Sequence, residues 1–509
     1  MKINLETNLY LCLHGHFYQP PRENPLTGEI EKQPSASPFH NWNERIYQEC
    51  YKPNTEAVIV NNQGDVVNRI NNYEYMNFNF GPTLLNWIRD KHPRLFFKIL
   101  EADKKSLLKH NGHGNAIAQV YNHIIMPLAN KKDKITQVKW GLKHFNFYFG
   151  RDSEGIWLSE TACDLETLEV LADEGVKYTI LNPSQAEKIR KFNSVNSSDV
   201  SDSSINPKIP FRCYLDSKKE KYIDIFFYDG PFAKSIAFDD MIYSAEKMLG
   251  RIEAIKIRDH KSDQLISAAT DGETFGHHKH FTERTIAFLL TVLAPNKGYK
   301  VVNFGEYLAA HPPEYEVSIK KGIAGKGTSW SCVHGTGRWY EDCGCHTGGE
   351  PGWNQKWRTP LRDSLNHLRD SLLEIYETNS AEYFKDIWKA RNEYIEILLD
   401  NSEDVRDDFF ANNAKKELNE NEKRICIQLL EMQKYVMFMF TSCAWFFSDI
   451  SGIETQQILE YAKRAIEIAK DLTNNTEIEK EFLSELENAK SNRPEFGNGK
   501  EIYLKLNFF

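Results

Sequence analysis

GIWLSETACDLETLEVLADEGVKYTIL, residues 155–181, runs from a short apolar segment through a polar turn and an amphipathic stretch to a second apolar segment. GIWL has the length and apolarity of a buried strand. Asp164 stands where a helix N-cap belongs, LETLEVLADEG carries the apolar spacing of a helix that stops at Gly175, and VKYTIL is the next strand. Strand, loop, helix, strand is the pattern of a parallel α/β sheet or barrel. The order recurs in QLISAAT (264–270), DGETFGHH (271–278) and the helical TERTIAFLLTVLA (282–294).

Working outward, NLYLCL (8–13) alternates like a strand and ends at HGHFYQPPREN (14–24), where paired prolines forbid continuation. GPTLLNWIRDKHPRLFFKILEADKKSL (81–107) reads as helix broken near His92-Pro93, and NAIAQVYNHIIMPL (115–128) continues the apolar spacing as far as Pro127. ITQVKWGLKHFNFYFG (135–150) is a further amphipathic helix closing at Gly150. NSVNSSDVSDSSINP (193–207) is too polar to pack and is expected as a flexible surface excursion; FRCYLDSKKEKYIDIFFYDG (211–230) reads as two strands joined by a charged turn.

At 509 residues the chain is long for one core. The expected organisation is a catalytic domain over 1–310, a Gly/Cys/His/Trp-rich connecting segment over 311–354, and an α-helical domain over 355–509. That last domain is signalled by ICIQLLEMQKYVMFMF (425–440) and TQQILEYAKRAIEIAKDL (455–472). A formal net charge of −9 argues against a nucleic-acid partner. No apolar run is long enough to span a bilayer and the start MKINLETN lacks signal-peptide character, so a cytoplasmic location without membrane association is expected. Nine cysteines with one cluster do not make a secreted disulfide framework. Aromatics at 12% suit both core packing and the stacking of sugar rings.

In parallel α/β folds the reactive groups sit at the C-terminal ends of strands. Three strands here end in His14/His16, in Glu160, and in Asp271/Glu273/His277. Two carboxylates on separate strands suit glycosidic bond cleavage, although each alone would serve equally well as a helix cap or ion-pair partner.

These motifs resemble glycoside hydrolase family 57. HGHFYQP is similar to that family's first motif, YNHIIMPL to its second, GIWLSE to the third and ATDGETFGHH (269–278) to the fourth. HGHFYQPPRENP, CGCHTGGEPGWNQ (343–355) and TSCAWFFSDISG (441–452) resemble an uncharacterised branch of the family. The resemblance implies a distorted (β/α)7 barrel followed by an α-helical C-terminal domain, acting on an α-linked oligo- or polysaccharide without a cofactor. It implies Glu160 as nucleophile and Asp271 as acid/base in a retaining mechanism, with the two carboxyls about 5–5.5 Å apart. His14, His16, Gln19, His123, Trp157, Glu273 and His277 would bind the sugar. The chain departs from the family in the His-Gly-His-Phe-Tyr that precedes Gln19-Pro20 and in His277-His278, where aromatics often follow the Gly-His.

SWSCVHGTGRWYEDCGCHTGGEPGW (329–353) has three readings. Cys332, His334, Cys343, Cys345 and His346 offer ligands for zinc, with Cys332, Cys343, Cys345 and His346 as the candidate set. Alternatively the segment is a loop presenting Trp330, Trp339 and Trp353 to a glycan, or a packed connector with no ligand. From TSCAWFFSDISG, Trp445 and Asp449 could close the site. Two other functions remain open: a metal-dependent polysaccharide deacetylase or α-mannosidase using His14, His16, Asp271 and His277 as ligands, and a noncatalytic glycan-binding protein.

Overall fold

The computed structural model describes residues 8–61, 63–257 and 262–506. Seven parallel strands carry the N-terminal region: β1 Leu9–Phe17, β2 Asn77–Phe80, β3 Ala118–Gln119, β4 Gly155–Trp157, β5 Tyr178–Leu181, β6 Tyr222–Phe227 and β7 Gln264–Asp271. β1 pairs with β7 on one side and β2 on the other; β3, β4, β5 and β6 follow in order in a second sheet. A parallel bridge from Phe78 to Ala116 joins β2 to the segment entering β3. At the other seam Asp229 N–H, just past β6, donates to Ser267 O of β7 at 2.9 Å. The strands thus take the cyclic order of a seven-stranded α/β barrel. A mixed extension, Phe211–Tyr214, Tyr315–Ile319, Ala186–Lys191 and Ser197–Asp199, continues outward from β6, antiparallel except where Phe211–Tyr214 meets Tyr315–Ile319 in parallel.

β1 runs through His14 and His16 to Phe17 and does not stop at Leu13, because its last four residues keep pairing with β2. The period of two then places both imidazoles on one face of the strand. Helix α1, Lys131–Phe149, is capped by Asn130 and ends on Gly150 in the left-handed region, φ 67°. It lies directly on β3: a Cβ at Gly141 would stand 2.0 Å from Gln119 O. Helix α2, Leu165–Asp173, is capped by Asp164, whose side chain accepts from Thr167 N–H.

Two segments depart from expectation. NAIAQVYNHIIMPL is not regular helix: after β3 it turns at His123, φ 60°, and bonds to the C-terminal region through Asn122 Nδ2 to Met437 O, 3.1 Å. Its apolar residues satisfy the core from an extended, irregular chain. The Ser/Asn/Asp-rich stretch 193–207 is built rather than loose; Ser197–Asp199 joins the sheet extension while Val200 and Ile205 are buried.

The C-terminal region is helical, dominated by α3 Arg358–Ser380, α4 Glu420–Phe438 and α5 Ile453–Thr473. α4 begins with a reciprocal Asn419/Glu422 capping box. Leu361, Leu365, Leu368 and Leu372 form the buried stripe of α3. Among the described residues no helix is long and apolar enough to cross a membrane.

The two regions are locked by a buried ion pair: Arg391 Nη1 donates to Asp133 Oδ1 of α1 at 2.9 Å and to Gln433 Oε1 of α4 at 3.1 Å. Removing one partner strands the other charge. Arg391→Ala is expected to destabilise the protein by ~3–5 kcal/mol, and Arg391→Met with Asp133→Leu to recover most of that loss, as read by chemical denaturation.

Candidate active site

Glu160 follows β4 and sits in left-handed backbone, φ 57° and ψ 21°, with Thr161 also at positive φ of 49°. Two successive non-glycine residues in this region cost of order 1–3 kcal/mol each, so the surroundings must hold them. They do. Thr161 N–H donates to Leu158 O at 2.9 Å, Thr161 Oγ1 donates to Gln185 Oε1 at 2.8 Å, and Trp330 N–H donates to Glu160 O at 3.0 Å. The turn aims the half-buried carboxyl away from the chain. Its Oε2 accepts from Trp330 Nε1 at 2.9 Å and Ser331 Oγ at 2.6 Å. Burial pushes this carboxyl up, while Ser331, Trp330 and the nearby Arg338 guanidinium pull it back toward the ionised form. Both donors take one oxygen, and among the described residues no hydrogen bond falls on Oε1.

Asp271 is the last residue of β7 and pairs in register with His16. Its side chain lies open at the strand end, with protein packed densely around it. Burial, and then the charge of Glu160, raise it to about 7. Among the described residues nothing donates a hydrogen bond to its carboxyl. The charge of Glu160 reaches Asp271, and the two carboxyls differ in equipment: one is braced by two donors, the other has none and is raised into the neutral range.

Glu273, two residues on, is buried. Its Oε1 accepts from Tyr18 N–H at 3.0 Å and Tyr51 OH at 2.7 Å, and burial raises the carboxyl to about 8. It ties the β7 loop to the end of β1.

Beneath the carboxyls lies a chain of neutral imidazoles. Asn79 of β2 bonds to both His14 and His16, His16 Nε2 meets His123 Nε2 at 3.1 Å, and His123 Nδ1 meets Ser442 Oγ at 2.6 Å. Burial is the leading cause that lowers His14 to about 4 and His123 to about 3, and it lowers His16 as well. Trp157 stacks on His14 and His16, with ring centroids 4.7 and 5.1 Å apart, and meets Trp330 edge-on at 5.1 Å. His14, His16, His123 and Trp157 are all buried, which leaves them little surface to offer a sugar directly.

The remaining sequence candidates lie elsewhere or are committed. Gln19 braces Arg22, which bonds to it at 3.1 Å and to Glu454 of α5 at 3.4 Å. His277 pairs with Glu49. Trp339 and Trp445 are wholly buried, which leaves no ring face for a sugar; Arg362 lies over the Trp445 ring at 4.3 Å and binds Trp339 O at 3.0 Å. Asp449 is saturated by Ser451 N–H, Ser491 Oγ and Asn492 N–H, so it pins the chain's C-terminal segment rather than closing the site. His14, His16, Asp271 and His277 do not converge as a ligand set. Among the described residues the metal-capable cluster is Cys332, His334, Cys343 and Cys345; His346 is exposed and points to Gly348 O.

Sequence reasoning missed Ser331, Arg338, Tyr18, Tyr51 and Ser442, all of which contact or flank the reactive groups through tertiary structure. Tyr18, Ser331, Arg338 and Ser442 lay in quoted segments, and Tyr51 in none.

The family model "Glycosyl hydrolase family 57" matches residues 21–320. The chain belongs to glycosyl hydrolase family 57. A second model, "Domain of unknown function (DUF3536)", matches residues 353–507. An α-amylase of Dictyoglomus thermophilum is 24% identical over 27% of this chain and 18% of its own length. A 4-alpha-glucanotransferase of Thermococcus litoralis is 26% identical over 21% of this chain and 15% of its own. These matches span less than a fifth of those relatives. The solved exo-type maltose-forming amylase of Pyrococcus sp. ST04 has TM-score 0.66 at 14% identity, covering 93% of this chain and 82% of that one. A GH57-type branching enzyme of Pyrococcus horikoshii has TM-score 0.52 at 14% identity over 94% of each chain. At such identities the likeness establishes the fold.

Removing the Ser331 hydroxyl withdraws a donor that favours ionised Glu160, so its carboxyl should titrate higher. In Ser331→Ala the acid limb of kcat/KM against pH is expected to move to higher pH, while the basic limb stays in place.

Proposed function

We propose that this protein is a retaining glycoside hydrolase or glycosyl transferase acting on α-linked glucans, with Glu160 as nucleophile and Asp271 as general acid/base. The observation that carries this reading is the asymmetry of the two carboxyls at the ends of β4 and β7. Glu160 is oriented through Oε2, with no hydrogen bond on Oε1 among the described residues, and Asp271 is unbonded and raised to about 7 by burial and by Glu160. The amylases and glucanotransferase among its relatives favour α-glucan as the substrate class.

In the first step Glu160 Oε1 attacks the anomeric carbon as the glycosidic bond breaks, and the Asp271 proton passes to the leaving oxygen. The glycosyl–enzyme ester removes the charge of Glu160, and with it one cause of Asp271's elevation, so Asp271 stays ionised and is available as a base when water or an acceptor hydroxyl must lose a proton. Trp330 Nε1–H and Ser331 Oγ–H keep the carboxyl oriented through both steps. The buried, neutral histidines add no competing charge.

This chemistry needs ionised Glu160 and protonated Asp271, so the rate against pH should be bell-shaped, with a basic limb near 7 set by Asp271. Glu160→Ala is expected to abolish turnover of an α-glucan with folding intact. Asp271→Ala should lose roughly 10²–10⁴-fold, less for substrates with good leaving groups. Added azide should trap a glycosyl azide of retained configuration from Asp271→Ala and inverted configuration from Glu160→Ala. Near wild-type rates in both variants on a verified substrate would overturn the assignment.

A further inference from the structure

The connecting segment holds a cluster that the proposed glycosidase chemistry does not use. Cys332 Sγ lies 3.9 Å from Cys343 Sγ and 3.8 Å from Cys345 Sγ, and Cys345 Sγ lies 3.5 Å from His334 Nδ1. The four ligand atoms all fall within 4.8 Å of one another. A tetrahedral zinc with Zn–S near 2.3 Å and Zn–N near 2.0–2.1 Å requires S···S edges of about 3.8 Å and S···N edges of about 3.6 Å. A disulfide would instead draw one pair together to about 2.05 Å and release the third thiol. Near-equal spacing of Cys332 from both partners fits a common centre.

We propose that Cys332, His334, Cys343 and Cys345 form a structural Cys3His zinc site. Four protein ligands fill the coordination shell, which marks a structural rather than a catalytic centre. Gly335 at φ 82° and Gly344 at φ 81° provide the left-handed turns that fold the two ligand pairs toward each other. On binding, the three thiols release their protons to solvent and the imidazole coordinates as a neutral base, giving a centre of net charge −1.

A second observation supports that charge. Arg358, at the start of α3, is 0% exposed. Its Nη1 donates to Cys345 O at 2.7 Å, while Nε and Nη2 have no hydrogen-bond partner. Among the described residues no carboxylate forms an ion pair with it. A buried guanidinium requires a counter-charge, and an anionic zinc–thiolate centre beside it supplies one.

The site also has a position in the working parts of the protein. Cys332 directly follows Trp330 and Ser331, the two donors to Glu160, and Ser329 Oγ closes the same loop onto Gly335 O at 2.6 Å. The metal would clip this loop to the turn at Cys343–Cys345, which Arg358 at the start of α3 binds through Cys345 O, and so hold the donors in register with the carboxylate.

The test is metal analysis of the full-length protein produced with zinc in the medium. About one zinc per chain is expected, and titrating the native protein's thiols with an organomercurial should release it stoichiometrically to a metallochromic dye. Cys343→Ser with Cys345→Ser should carry no zinc and unfold at lower temperature; His346→Ala, outside the cluster, should keep its zinc. Cobalt loaded in place of zinc should show thiolate charge-transfer and tetrahedral d–d absorption. Background metal in the wild-type protein, zinc retained by the double variant, or a disulfide at Cys332 in freshly purified protein would each overturn the proposal. A lower kcat in the metal-free protein would follow only if Glu160 is the nucleophile; metal content and unfolding temperature are independent of that assignment.

Discussion

The bond from Trp330 and Ser331 to the Glu160 carboxyl is the interaction on which the rest of the site depends. A glutamate in left-handed backbone does not hold itself there, and a carboxyl half-withdrawn from water drifts toward its protonated form. An indole N–H and a hydroxyl answer both problems at once. They come from outside the strand repeat, on a loop that the barrel's own sequence does not supply.

The same dependence on distant chain recurs below the carboxyls. His123, also at positive φ, takes its place through Ser442 Oγ and through Ser442 N–H, which donates to His123 O at 3.0 Å. Tyr435 OH reaches Pro25 O at 2.8 Å, and Gln457 reaches Glu23 O at 3.0 Å. The helical region thus acts as a wall against which the β1 and β3 loops are set.

Burial also determines which groups carry charge. Desolvation keeps the three imidazoles neutral and both Asp271 and Glu273 protonated near neutrality, whereas Glu160 alone among the inner carboxyls receives donors from two side chains and a nearby arginine. Sugar hydroxyls are uncharged, and a site with one anion and many neutral polar groups suits them better than a field of fixed charges.

Local periodicity was enough to read the parallel α/β repeat, the caps at Asp164 and Gly150, the two carboxyls at strand ends and the helical C-terminal region, because each is encoded within one or two turns of chain. The sequence also brought Cys332, Cys343 and Cys345 forward as a group, but chose His346 over His334 since adjacency was the available guide; the fold turns His346 outward and His334 in. Trp339, Trp445 and Asp449 have the composition of a sugar site and became core and clasp, because whether a ring or carboxylate is free is decided by what packs against it. Ser331, Arg338 and Ser442 lay inside quoted segments, but nothing in those segments pointed to them individually. Their roles arise from contacts between segments 170 or more residues apart in the case of Ser331 and Ser442, and only the tertiary structure creates such contacts.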